Sequence, residues 1–154
     1  MIKTVFIDTS VFGGYFDTEF SADTIPFFDN LIKQETEIIV SDILEIEIYR
    51  APGFIVDFYE SLINLRKVEL TDKAKHLAQK YIDEKVVGRT SLADCQHIAI
   101  ATTNNVDVLV SWNFKHIVNL QRIRGYNSIN LREGYNTLEI RTPKEIFDYG
   151  NNNS

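Results

Sequence analysis

Cysteine, cationic charge and long apolar runs are all scarce in this 154-residue chain, and each scarcity excludes a class of protein. Cys95 is the only cysteine, so no internal disulfide can form and a cysteine-based zinc site is ruled out. A reducing compartment fits best. No apolar run approaches the roughly 20 residues of a membrane span. The N-terminal run Val5-Phe6-Ile7 meets Asp8 at once, too soon for a signal segment. The expectation is a cytoplasmic protein without membrane association. Sixteen Lys and Arg stand against 22 Asp and Glu, a formal charge of −6. That balance disfavours nonspecific attraction to a polyanion, and so a general nucleic-acid binder. A fixed group of carboxylates can equally belong to a metal site, which the total charge does not reveal. What is present is ordinary for a folded domain, 44% hydrophobic and 25% charged. We expect a single domain over residues 1–150 and a disordered polar tail over 151–154.

Three short apolar segments end in polar residues, as strands buried on both faces do: residues 4–7 before Asp8-Thr9-Ser10, 37–40 before Ser41-Asp42, and 106–110 before Ser111-Trp112-Asn113. Helical periodicity fills 25–33, 43–50, 54–65, 73–86 and 92–103. Strands alternating with helices indicate an α/β fold with a parallel sheet. After Asn113 the pattern weakens. Residues 137–141 suit an edge strand, and Thr142-Pro143-Lys144-Glu145 reads as a capping box opening a last helix through Tyr149.

Ligands of open parallel sheets bind outside the carboxyl ends of the strands. Asp8 and Asn113 follow two such ends, Glu47 lies on the helix after the second run, and Asp94 on the helix before the third. Each has a structural alternative. Asp8 suits a turn or helix cap. Ser91-Leu92-Ala93-Asp94 has the form of a capping box, as does Asp42-Ile43-Leu44-Glu45. The second box would engage Glu45 at the helix start and leave Glu47 spare, because residues two apart on a helix face different ways. His97 reads as a packed or hydrogen-bonded histidine, His76 and His116 lack partners at ligand spacing, and Cys95 reads as a small buried group. If Asp8, Glu47 and Asp94 converge, they repel unless a hard cation neutralises them. An all-oxygen set of this kind suits Mg²⁺ or Mn²⁺. Such an ion can activate water and clamp a phosphate oxygen, the apparatus of phosphodiester hydrolysis.

The segments Ile7-Asp8-Thr9-Ser10-Val11, Ser41 with Glu47, Ser91-Leu92-Ala93-Asp94 with Ile98-Ala99-Ile100-Ala101, and Leu109-Val110-Ser111-Trp112-Asn113-Phe114 resemble, in order and spacing, the motifs of the PIN-domain ribonucleases. The resemblance covers roughly residues 3–117. It implies a three-layer α/β/α fold with a central parallel sheet flanked by helices. It also implies a Mg²⁺- or Mn²⁺-dependent endoribonuclease acting on RNA, often the toxin of a type II toxin–antitoxin pair, commonly a homodimer silenced by a small antitoxin protein. Carried over residue by residue, it makes Asp8, Glu47 and Asp94 metal ligands, with Asn113 completing the catalytic set where the family more usually has Asp. The neutral amide removes one negative charge.

Two readings follow. In the first, Asp8, Glu47 and Asp94 hold the cation, Asn113 assists, and RNA is hydrolysed. In the second, the chain is a noncatalytic PIN module that binds RNA or a protein partner. A flap-type nuclease on structured DNA is a third, weakened by the short chain. Lys115, Arg122, Arg124 and Arg132, interleaved with Tyr126 and Tyr135, form the one basic concentration; it suits RNA phosphate and base stacking, or a solvated face. The stripe Phe54, Phe58, Tyr59 suits either a dimer face or a core.

Overall fold

In the computed structural model, which describes residues 2–146, five parallel strands form one sheet. They are β1 (Thr4–Ile7), β2 (Glu37–Ser41), β3 (Leu65–Val68), β4 (Val108–Val110) and β5 (Ile140–Arg141), in the spatial order β3-β2-β1-β4-β5. The chain runs outward from β1 through β2 to β3, then returns to the other side of β1 for β4. The order therefore reverses between β1 and β4, and a crevice opens beyond their carboxyl ends.

Period-two alternation in the strands feeds two cores. Val5, Ile7, Ile38, Val40, Val108 and Val110 face α1 (Thr9–Gly14), α2 (Ser21–Lys33), α3 (Asp42–Tyr49) and α4 (Gly53–Ser61). Phe6, Ile39 and Leu109 face α5 (Asp72–Asp83), α6 (Leu92–Thr103) and α7 (Leu120–Arg132). With both faces covered, the central strands carry no polar alternation, which is why they read as continuous apolar runs. The result is a three-layer α/β/α arrangement, as expected. No helix among the described residues is long and apolar enough to cross a membrane.

Three local expectations need correction. The helical pattern over 54–65 ends at Ser61, and Leu65 opens β3 instead. This edge strand exposes Arg66 and Lys67, which pair with Glu37 at 3.2 Å and Glu45 at 3.0 Å, so its composition hides its strand character. The third apolar run becomes strand only from Val108. Of the turn or helix cap read at Asp8, the backbone takes the second and opens the six-residue α1. The weakly patterned stretch after Asn113 contains α7, capped by Asn119, whose side chain accepts from Arg122 N–H. The 137–141 segment does supply an edge strand, and Thr142 and Glu145 form the reciprocal capping box at 3.1 and 3.3 Å. The helix it opens reaches 146; its expected end at Tyr149 and the 151–154 tail lie outside the described residues.

Candidate active site

Asp8 follows β1 at the point of strand-order reversal, its backbone N–H donating to Val110 O of β4 at 3.0 Å. It occupies the cap position of α1, yet its side chain caps nothing. Its Oδ2 instead accepts from Ser10 Oγ and Ser111 Oγ, each at 2.8 Å. The same hydroxyls accept from the backbone of the loop after β4: Trp112 N–H to Ser10 and Asn113 N–H to Ser111, both at 2.9 Å. Two serines thus tie the ends of β1 and β4 together around one buried carboxylate. The Trp112 indole anchors this loop by donating to Thr24 Oγ1 at 2.9 Å and lying against Gly14, where a Cβ would stand 2.8 Å from the ring.

Asp94 also declines its capping role. Ser91 holds the cap position of α6 without a side-chain hydrogen bond, and its Oγ is buried without a partner. The Asp94 carboxylate turns instead to Asn113, whose Nδ2 donates to it at 3.3 Å. Burial first, and then the negative charge of Asp8, raise its pKa above the ordinary aspartate value; His116, His97 and Asn113 oppose the rise. The two carboxylates share a poorly hydrated space and repel across it. Its neighbour Cys95 is buried, and burial pushes the thiol up to about 12, so it is no nucleophile.

On α3 the capping box expected at Asp42–Glu45 is not made. Ser41 is the cap, accepting from Leu44 N–H at 3.1 Å, and Asp42 accepts from Ile43 and Leu70 N–H. Glu45 points away from the crevice, accepting from Tyr59 O–H at 2.7 Å and pairing with Lys67. Glu47 faces the other way, toward His97 and Asp8. Its Oε1 lies 2.9 Å from His97 Nε2, and that nitrogen is 3.8 Å from Asp8 Oδ1. Burial opposes ionisation of Glu47, but the His97 hydrogen bond and charge outweigh it and hold the carboxyl below its usual value. For His97, burial disfavours the charged ring, while Glu47, Asp8 and Asp94 together raise its pKa.

Asp8, Asp94 and Asn113 therefore meet at one sheet edge, and Glu47 joins them through His97. Reasoning from sequence assigned no role there to Ser10, Ser111 or His97. For His97 a signal existed, since it lies one helical turn beyond Asp94 and so shares its face of α6. Asn113 behaves as a donor: its Oδ1 is taken by His116 N–H at 3.0 Å, leaving the amide group to face Asp94. Two of the four cations in the basic concentration are engaged within the fold. Tyr126 is fully buried with its O–H on His116 O, Arg122 donates to Val86 O, and Arg132 pairs with Glu84 at 2.8 Å. Tyr126 cannot stack on a base. The aromatic stripe also divides: Tyr59 is core, Phe58 stacks on Tyr15 at 4.0 Å, and Phe54 is 54% exposed.

The donor set is of the hard-cation kind: carboxylates, with no thiolate and with one imidazole already committed to carboxylates. Among the described residues no three His, Cys, Asp or Glu side chains surround a single point as they stand. Mg²⁺ needs fewer, since it binds through one or two carboxylates and keeps several waters. Asp8 and Asp94, whose repulsion a cation would relieve, fit that requirement.

The family model described as PIN domain matches residues 5–115. No curated protein matches the chain. Among solved structures, a chain of VapBC2 from Rickettsia felis, crystallised bound to a DNA fragment from their promoter, superposes with a TM-score of 0.57 at 15% identity. The match covers 90% of this chain and 98% of that one, a likeness of fold.

Proposed function

This chain belongs to the PIN domain family, whose members are generally nucleases, and on that premise we propose that it is a Mg²⁺- or Mn²⁺-dependent endoribonuclease. The observation that carries the reading is the behaviour of two aspartates at helix starts. Asp8 and Asp94 each stand where a side chain ordinarily caps a helix, and each turns into the crevice instead. Accepting mutual repulsion there has a reason if a cation is to be held.

Asp8 and Asp94 would hold the ion, with Glu47 beside them. A bound Mg²⁺ or Mn²⁺ supplies activation of water and a clamp on a phosphate oxygen. The chain's own residues orient these groups. Ser10 and Ser111 fix one oxygen of Asp8 and leave the other turned toward His97 and Glu47. Asn113 donates to Asp94 and fixes its rotation. The likeness to VapBC2, a toxin–antitoxin complex, supports a toxin role with a small antitoxin partner, and a homodimer belongs to the same reading.

The test is cleavage of single-stranded RNA with Mn²⁺, with Mg²⁺ and with chelator. Cleavage only with metal, lost in Asp8→Asn and Asp94→Asn proteins that remain folded, is the expected result; cleavage surviving either substitution overturns the reading. One observation favours the second reading, a noncatalytic PIN module that binds RNA or protein. The Asn113 carbonyl is spent on His116 N–H, so no fourth oxygen ligand is offered at that position. RNA binding without cleavage at any metal concentration would decide for it.

A further inference from the structure

We propose that His97 is a positioning residue for Glu47: its Nε2–H holds the Glu47 carboxylate beside Asp8, so that α3 contributes an acidic group to a site otherwise built at the ends of β1 and β4. The inference rests on the metal-dependent reading above and deepens it. Glu47 by itself is poorly placed to serve a fixed site, because its side chain is 41% exposed on a helix and free to turn into water. His97 is its hydrogen-bond partner, and that ring is 2% exposed, packed beside Phe6 with ring centroids 6.3 Å apart. A buried ring thus holds a partly exposed carboxylate.

The direction of the bond follows from the groups themselves. An ionised carboxylate only accepts, so Nε2 carries the proton. Nε2 also faces Asp8 Oδ1 at 3.8 Å, while Oδ2 of that residue is saturated by Ser10 and Ser111. The other ring nitrogen, Nδ1, is buried with no partner. Among the described residues no backbone carbonyl orients this imidazole; the carboxylates do. His97 lies one turn beyond Asp94 on α6, and its ring links acidic residues of α3 and the β1 end. Outer partners that fix a metal's carboxylates change metal affinity by about 10- to 100-fold when removed.

Calorimetric titration of Mn²⁺ into the full chain tests this without any activity. We expect His97→Ala to weaken Mn²⁺ binding by about 10- to 100-fold. His97→Gln, whose amide N–H replaces Nε2–H, should recover most of the loss. In a Glu47→Gln background, His97→Ala should add no further loss. Unchanged affinity in His97→Ala, or the same loss with and without Glu47, overturns the proposal. A second readout needs neither metal nor a truncated ring. With chelator present, the ring ¹⁵N shifts of wild-type His97 should report a proton on Nε2, and Glu47→Ala should weaken that preference; an unprotonated Nε2 in the wild type overturns the proposal. A wild type that binds no Mn²⁺ overturns the functional reading and this one with it, whereas equal binding with and without His97 overturns this one alone.

Discussion

Two polar clusters flank the same helix, α6, one mostly buried and one only partly so, and they are built on opposite rules. Toward α5 and α7, Tyr81 O–H donates to Asn130 Oδ1, Asn130 Nδ2 donates to Thr102 Oγ1 and Asn127 Oδ1, and Asn127 exchanges bonds with the Leu138 backbone. Every member is neutral and paired. Toward the crevice, α6 presents Asp94 and His97 to Asp8 and Glu47, and the cluster is charged. All four buried side-chain atoms left without a partner among the described residues belong to this end of the molecule or its border: Thr9 Oγ1, Ser91 Oγ, His97 Nδ1 and His116 Nδ1. Thr9 follows Asp8, Ser91 precedes Asp94 by one turn, and His116 follows Asn113 by three residues. An unpaired buried polar group costs about 1–3 kcal/mol, so this concentration marks where the fold gives up stability. The paired cluster holds the helices together; the unpaired one is kept open for something else.

Substitutions at matched positions sharpen the contrast. The largest effect is expected at Asp94. Asp94→Asn should lower metal-dependent RNA cleavage by about a hundredfold or more, the scale on which losing one charge-stabilising group acts, while making the metal-free protein more stable. The pH dependence of that gain has a definite sign. Because the folded state raises the Asp94 pKa, chiefly by burial and then by Asp8, folding favours the protonated carboxyl. Its contribution to stability is full in acid and is lost as pH rises through the raised value. Urea unfolding with chelator should therefore show Asp94→Asn ahead of wild type at neutral pH and level with it in acid.

Asn130→Ala should do the reverse. It strands Tyr81 O–H and Thr102, destabilising by about 1–3 kcal/mol, and lowers the melting temperature by about 2–4 °C per kcal/mol, with cleavage per folded molecule unchanged. Asn113→Asp moves the charged cluster toward its own extreme. It replaces the amide donor to Asp94 with a third close negative charge, so Mn²⁺ binding should tighten severalfold while the metal-free protein loses stability, both readable by calorimetry. The smallest effect is expected outside both clusters: Tyr59→Phe removes one hydrogen bond to Glu45, about 0.5–1.5 kcal/mol, and leaves metal binding untouched.

The central layer was legible in the sequence because its strands are buried on both faces, and burial leaves an unbroken apolar run. Two peripheral elements, β3 and α7, were not. In β3 two of four residues are exposed cations held by Glu37 and Glu45, and in α7 buried Tyr126, Ile129 and Asn130 are interrupted by Gly125 and by exposed polar residues. Asp8, Glu47, Asp94 and Asn113 could be nominated because they follow strand ends or share helices that must return to the same sheet edge. Their orientation could not, since a capping box and a crevice carboxylate have the same spelling; only the tertiary placement of Ser111 and Asn113 shows Asp8 and Asp94 turned inward. The role of Glu47 was reached through a capping box that the fold does not make. His97 reads from sequence as packed or hydrogen-bonded and is both; only its bond to Glu47 needed the tertiary fold, although its spacing from Asp94 carried a signal.

Calorimetric titration of Mn²⁺ into wild type and Asp94→Asn, both verified as folded, tests the cation site most directly. Saturable binding to the wild type that Asp94→Asn abolishes or weakens by orders of magnitude is the expected result. No binding to the wild type at millimolar Mn²⁺, or equal binding to both proteins, would contradict it.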